Sequence, residues 1–237
     1  MPAPAIMLLA RADGHPVATP LQRQPAAPAD PFAEFRQVAW EDEHGNVVGL
    51  IEGAGAMTVK AFPFIETWVL HSGSASLRSD SGQLELLPGM GVVIGSGSDL
   101  ALDLQPDSRL AFHSVTRPQG AAQPGLQAIE RYVPLAPSAA PEAAILIGPA
   151  PQCRANNLFI EAAGELKVGV WDSTPYQRHG RAHKLNELMH LIEGEVALTD
   201  DQGQVTRVCR GDTVFVAKGA FAAWTSTVYV RKIYTVT

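Results

Sequence analysis

The chain has 237 residues, 46% of them hydrophobic and 18% charged, with a formal net charge of -6. That length can bury a core in one large domain or in two of about a hundred residues each, and the acidic balance supplies no basic field to hold phosphates, which argues against a nucleic-acid partner. Two cysteines, Cys153 and Cys209, are too few for a disulfide framework, and AIMLLA near the start is only six apolar residues with Arg11 behind rather than before it, so neither a secretory leader nor a membrane span is expected and the setting reads as cytoplasmic.

Residues 1–34 carry Pro2, Pro4, Pro16, Pro20, Pro25, Pro28 and Pro31 among Ala and Gln. Such a stretch suits an extended arm, either a loose tail or a segment laid across a partner subunit. From Phe35 the texture changes to QVAW, the turn EDEHGN and the strand VVGLIEG.

A repeat follows. Glu66 precedes Gly73 as Glu187 precedes Gly194, and one separation of 121 residues relates both pairs (187 - 66 and 194 - 73). In the same register Leu50 matches Trp171 and Gly82 matches Gly203; Gly89 and Gly97 match Gly211 and Gly219 after a shift of one. Each copy holds short apolar runs of strand length bounded by Gly and Asp, and a glycine hairpin, RSDSGQ or TDDQGQ. Nothing has the length and 3.6 period of a long amphipathic helix. The predicted class is all-β, two tandem barrels with few short helices: residues 1–34 an arm, 35–117 a first barrel, 118–150 a Pro/Ala-rich linker and 151–237 a second barrel. Within the linker, Leu126 to Tyr132 supports a short helix at most.

In the second copy, His183, three residues, Glu187, six residues and Gly194, then Gly211, five residues, Ala217, Lys218 and Gly219, resemble the two sequence motifs of the cupin superfamily. The stretches GVWDSTPYQRH, NELMHLIEGEV and VRKIY resemble its ureidoglycine-aminohydrolase-like branch. The resemblance implies a bicupin of two jelly-roll barrels, and a barrel mouth that in many relatives holds a divalent ion on three His and one Glu. Here those places fall at Arg181, His183, Glu187 and Ala222, and in the first copy at Lys60, Phe62, Glu66 and about Leu100. His183 and Glu187 are the candidate metal ligands, an incomplete set for zinc, which needs four donors or three and water. No cofactor is fixed by these residues; manganese, zinc, iron or nickel is what the resemblance allows.

Residues 181, 183 and 187 differ by even numbers, so on extended backbone they leave one face, continued by Met189 and Leu191, while His190 takes the other. A cation precedes each glutamate by six residues, which predicts salt bridges Lys60–Glu66 and Arg181–Glu187. Trp171 and Trp224 can face inward. Asp172, Thr174, Tyr176, Arg178 and Arg181 can form a polar rim able to hold a carboxylate or amide. Lys232 and Tyr234 alternate on the last strand, where a lone lysine reads as surface. The predicted ligand pocket is therefore Trp171, Tyr176, Arg181, His183, Glu187, Met189 and Trp224.

Three functions fit this reading. The first is a bicupin that binds a small molecule in its C-terminal barrel without a catalytic metal. The second is a metal-dependent hydrolase resembling ureidoglycine aminohydrolase, with the ion as Lewis acid on a small nitrogenous metabolite. The third is a structural or regulatory pseudoenzyme. A homodimer is expected from exposed strand edges and the arm, with no membrane partner.

Overall fold

A computed structural model describes residues 5–237. The chain is nearly all β, and it divides into two compact units, the first Thr19–Glu130 with Glu161–Leu166, the second residues 5–18, Arg131–Ile160 and Lys167–Thr237. Among the described residues no helix is long and apolar enough to cross a membrane.

In the first unit the hydrogen-bonded order is Leu126–Ile129, Gly91–Ile94, Ile65–Ser72, Leu100–Val115, Asn46–Val59, Arg36–Glu41 and Gln22–Arg23, and the hairpin Ala75–Ser79 with Gly82–Leu86 pairs onto Leu100–Val115. In the second unit the seven-stranded sheet runs Ile6–Ala10, Thr213–Val216, Glu187–Glu193, Val230–Val236, Leu166–Ser173, Cys153–Glu161 and Ala136–Ser138. A five-stranded sheet follows the order Leu146–Ile147, Tyr176–Ala182, Phe221–Ser226, Glu195–Thr199 and Val205–Cys209. Apart from Leu146–Ile147, which has no counterpart in the first unit, the two plans agree strand for strand. The long strands Asn46–Val59 and Leu100–Val115 of the first copy are each divided in two in the second, and the predicted pair of tandem barrels is what folds.

The turn glycines that mark the repeat are fixed by backbone sterics. Gly73 and Gly194 have φ +71 and +81, and a Cβ on Gly194 would lie 2.0 Å from the Tyr229 carbonyl oxygen, so a left-handed conformation and a close backbone approach both demand glycine.

Two segments read without a barrel role turn out to be strands. Leu126–Ile129 is an antiparallel edge strand on Gly91–Ile94 instead of a helical turn, because its residues find an open sheet edge that local propensity does not reveal. Ile6–Ala10 pairs with Thr213–Val216, placing Ile6 and Leu8 against the core of the second barrel and burying Leu9 and Ala10 fully.

The interior of the first barrel is packed shut. Phe32, Phe62, Phe64, Trp68 and Phe112 are buried with edge-on and tilted ring contacts among them. Glu66 sits in this apolar mass, yet Lys60 does not neutralise it: Lys60 lies in the turn after its strand and pairs with Asp99 at 2.7 Å. Arg36 does so instead, donating from Nη1 and Nη2 to the two Glu66 oxygens at 3.0 and 2.8 Å and from Nε to Asp30 at 2.5 Å, with the Trp68 indole N–H also on Glu66. The guanidinium lies 4.3 Å from the Phe112 ring centroid. All three ionic side chains are 0% exposed. Removing the cation alone would leave two uncompensated carboxylates in low dielectric. Arg36→Met is expected to lower stability by about 3–5 kcal/mol in urea unfolding; a change under about 0.5 kcal/mol, the range of ordinary surface substitutions, would show that the cluster is not what holds the first barrel together.

Candidate functional site

The second barrel keeps a polar centre, and the residue at its heart is Lys232. On Val230–Val236, Val230 joins the core and Lys232 and Tyr234 follow it at even spacing, so all three share the inward face. The Lys232 ammonium donates to Glu187 Oε1 at 2.7 Å and to Met189 Sδ at 3.0 Å, and lies 4.8 and 5.3 Å from the ring centroids of Trp171 and Trp224. Its side chain is only 8% exposed. The surface position expected for it is corrected: a carboxylate, a thioether and two indole faces together replace the water a buried ammonium loses.

Glu187 opens the strand Glu187–Glu193, and its other oxygen, Oε2, lies 3.0 Å from His183 Nε2. Burial alone would raise the Glu187 carboxyl, but the Lys232 ammonium and the His183 ring override it and hold it well below the usual carboxylate range. His183 is fixed by its backbone, whose N–H donates to the Ala220 carbonyl and whose carbonyl accepts from Gly219 N–H, both at 2.8 Å. Trp171 and Trp224 meet edge to face at 6.1 Å, and Tyr176 stacks on Trp224 at 5.5 Å. Burial raises the Tyr176 hydroxyl and, with the Glu187 charge, pushes the Tyr234 hydroxyl up to about 12; Tyr234 donates to Asn157 Oδ1 at 2.6 Å.

Six of the seven predicted pocket residues, Trp171, Tyr176, His183, Glu187, Met189 and Trp224, thus gather around one cation. Arg181 does not. Its guanidinium pairs with Glu142 at 3.4 Å, so the expected Arg181–Glu187 bridge is absent. The even-number argument fails because the strand ends at Ala182 and residues 183–186 leave extended pairing before Glu187 begins the next strand, so alternation does not carry from Arg181 to Glu187. Of the expected polar rim, Asp172 turns the opposite way to Trp171 and is held by Arg154 at 3.0 and 2.6 Å, by the Tyr229 hydroxyl at 2.7 Å and by Arg231 at 3.5 Å. Thr174 accepts the Gln152 N–H at 2.9 Å. Arg178 remains inside: it lies opposite Trp224 in the strand pairing, is 8% exposed, donates to the Ala222 carbonyl at 2.6 Å, and has no ion-pair partner among the described residues. His190 is buried on the other face, 3.0 Å from Thr213 Oγ1. Lys232 was legible in principle, since a lysine in phase with Val230 on an apolar strand faces the same interior.

The donor set does not fit a divalent ion. Both Glu187 oxygens are engaged, Ala222 offers no ligand, and the Lys232 Nζ sits 2.7 Å from the carboxylate a metal would need. Among the described residues no group of three or more His, Cys, Asp or Glu is placed to hold one.

Because the folded-state carboxyl of Glu187 is depressed from its ordinary 4.5, its stabilising contribution is complete above that value and is lost as pH falls toward the lower folded one. Lys232→Met should cost roughly 3 kcal/mol at neutral pH and flatten the fall in stability below about pH 5, because the carboxyl returns toward its ordinary range. Urea midpoints measured across acid pH check both effects; an unchanged acid slope would mean Lys232 is not what depresses Glu187.

The profile of the EutQ-like cupin domain matches residues 160–234. A protein of unknown function of the DUF861 family from Pseudomonas syringae pv. tomato str. DC3000 is 46% identical, covers 99% of this chain and 100% of its own, and superposes with a TM-score of 0.97. The cupin 2 conserved barrel domain protein from Leptotrichia buccalis is 10% identical over 84% of this chain and 86% of its own, with a TM-score of 0.57. The putative glyoxylate induced protein from Pseudomonas aeruginosa is 12% identical over 81% and 74%, with a TM-score of 0.53, a likeness of fold alone. No curated protein matches the chain. With its duplicated barrel, its EutQ-like cupin domain and a full-length relative of that identity, the chain belongs to the DUF861 family of cupin-domain proteins.

Proposed function

We propose that the C-terminal barrel binds a small carboxylate-bearing molecule and does so without a divalent ion. The observation that carries this reading is the internal cation. Lys232 and Arg178 are both nearly buried on the inward face, and Glu187, bonded to Lys232, is the one carboxylate among the described residues that faces them there, so the interior holds more positive than negative charge. A second carboxylate, brought by a ligand, balances that excess; a neutral ligand leaves it, at a cost set by the low dielectric. The side chains of His183 and Glu187 are 17% and 14% exposed, which leaves this end of the ionic chain in reach of solvent and of a ligand. The indoles of Trp171 and Trp224, set edge to face, and the Tyr176 ring stacked on Trp224 supply an apolar aromatic lining for the rest of such a molecule.

The hydrolase reading, with a metal as Lewis acid, has no support in the donor set, where a lysine stands against the carboxylate and an alanine fills a ligand place. No catalytic step is assigned to the barrel. The third reading, a pseudoenzyme whose barrels serve only as structure, does not account for a partly exposed ionic chain in the second barrel beside a sealed one in the first.

Benzoate and benzamide, alike in shape and different in charge, test the proposal by protein-observed NMR titration. Benzoate should bind at least about tenfold more tightly than benzamide, a difference of about 1.4 kcal/mol. Lys232→Met should abolish the preference, and a chelator should leave it intact. Equal binding of acid and amide, or binding that vanishes with the chelator and returns with manganese or zinc, would replace this reading with one of the other two.

A further inference from the structure

Among the described residues three arginines are buried, and they keep unlike company. Arg36 holds Glu66 and Asp30, and Arg231 faces Asp172 at 3.5 Å. Arg178, 8% exposed, meets no carboxylate among the described residues. The charges respond accordingly. Burial opposes the Arg36 guanidinium, but Glu66 and Asp30 outweigh it and raise that group above its ordinary value, whereas burial prevails at Arg178 and lowers it.

Arg178 follows Tyr176 at even spacing and lies opposite Trp224, so it shares the inward face with both. Beyond it the register with Phe221–Ser226 slips by one residue before Arg181. There Arg178 Nη1 donates to the Ala222 carbonyl at 2.6 Å, so the guanidinium reaches from the level of Trp224 toward Ala220 and Gly219, which hold the His183 backbone. A guanidinium carries five N–H donors in one plane. The carbonyls of Ala222 and His179, the latter at 3.5 Å, both fall on Nη1. The edge formed by Nε and Nη2 therefore has neither carbonyl nor carboxylate among the described residues, and the Tyr176 hydroxyl is its polar neighbour. Lys232 is differently placed, since its ammonium is already committed to Glu187, to Met189 Sδ and to the two indole faces.

Resting on the reading of this barrel as a carboxylate binder, we infer that Arg178 is the residue that receives the ligand's carboxylate, both oxygens on its Nε and Nη2, while Lys232 stays paired with Glu187. The two cations then have separate tasks. Lys232 cancels the charge of Glu187, and Arg178 makes the contact, with the planar fork that matches a carboxylate. The ligand supplies to Arg178 what Glu66 and Asp30 supply to Arg36. In the empty barrel an unpaired guanidinium costs stability instead of adding to it, as a group kept for binding does.

The full chain, its arginines labelled with nitrogen-15, is titrated by NMR with benzoate and with benzamide beside Arg178→Gln and Arg178→Lys. In the unaltered chain the Nε–H signal that both variants lack should move with benzoate more than any other arginine side-chain signal, and stay in place with benzamide. Arg178→Gln should weaken benzoate binding at least about tenfold and change benzamide binding less than about twofold. Arg178→Lys keeps the charge without the fork and should fall between. Without ligand, the urea midpoint of Arg178→Gln should be unchanged or raised. A variant that fails to fold, or that loses as much stability as is expected of Arg36→Met, would give Arg178 a structural role and overturn the inference. If the unaltered chain binds benzoate and benzamide equally, the carboxylate reading fails and the role of Arg178 falls with it. If it prefers benzoate while Arg178→Gln keeps that preference, or if another arginine signal moves in its place, the carboxylate reading stands and the role of Arg178 alone is overturned.

Discussion

The constraint on which the second barrel depends is the ion pair between Lys232 and Glu187. A carboxylate projecting into the barrel must be neutralised or protonated, because low dielectric makes an isolated charge too costly. The depressed carboxyl of Glu187 shows that it stays ionised, and the cation beside it explains how. Trp171, Trp224 and Met189 are arranged around that cation, and His183 is tied to the far oxygen of the same carboxylate. The site is one connected chain of charge and ring contacts, so no member can be discussed as a separate ligand.

The first barrel meets the same requirement with different parts. Glu66 occupies the repeat position of Glu187, yet its cation comes from Arg36 on the strand Arg36–Glu41. At the place equivalent to Lys232, judged by pairing with Leu70 as Lys232 pairs with Leu191, stands Leu110. At the place equivalent to His183 stands Phe62, packed between Phe32 and Phe64. One register therefore carries two outcomes. A fork of five donors suits a fully buried pair, since the guanidinium can bind Glu66 on two nitrogens and Asp30 on a third; the ammonium of Lys232 suits a smaller opening, where rings and a sulfur complete its surroundings.

What was legible in the sequence was whatever the backbone dictates locally. Turn glycines at positive φ, hairpins and strand-length apolar runs repeat at one spacing, because each is set by neighbours within a few residues, and they sufficed for two β-barrels and for the positions of Glu66 and Glu187. The partners of those glutamates were not legible. Arg36 lies 30 positions from Glu66 and Lys232 lies 45 from Glu187, and each pair meets only through sheet order and register. Counting even and odd positions across Arg181, His183 and Glu187 fails because one strand ends at Ala182 and the next begins at Glu187, with a bend between them. The leading strand Ile6–Ala10 was hidden because five apolar residues between prolines have no stability of their own and become a strand only on an edge supplied more than 200 residues later.

The contrast in exposure decides where function can reside. In the first barrel the side chains of Arg36, Asp30 and Glu66 are all 0% exposed, so nothing dissolved in water can reach them and their role is confined to holding the barrel together. In the second, exposure rises along the chain from Lys232 at 8% through Glu187 at 14% to His183 at 17%. A charge that is wholly buried can only be structural, and one that is wholly exposed is screened and weakly specific. Recognition needs the intermediate case, in which part of an ionic network faces solvent while the rest is held in low dielectric. Duplication supplied two equivalent barrels; aromatic side chains sealed one of them, and the other kept the partly open charge chain that a ligand could complete.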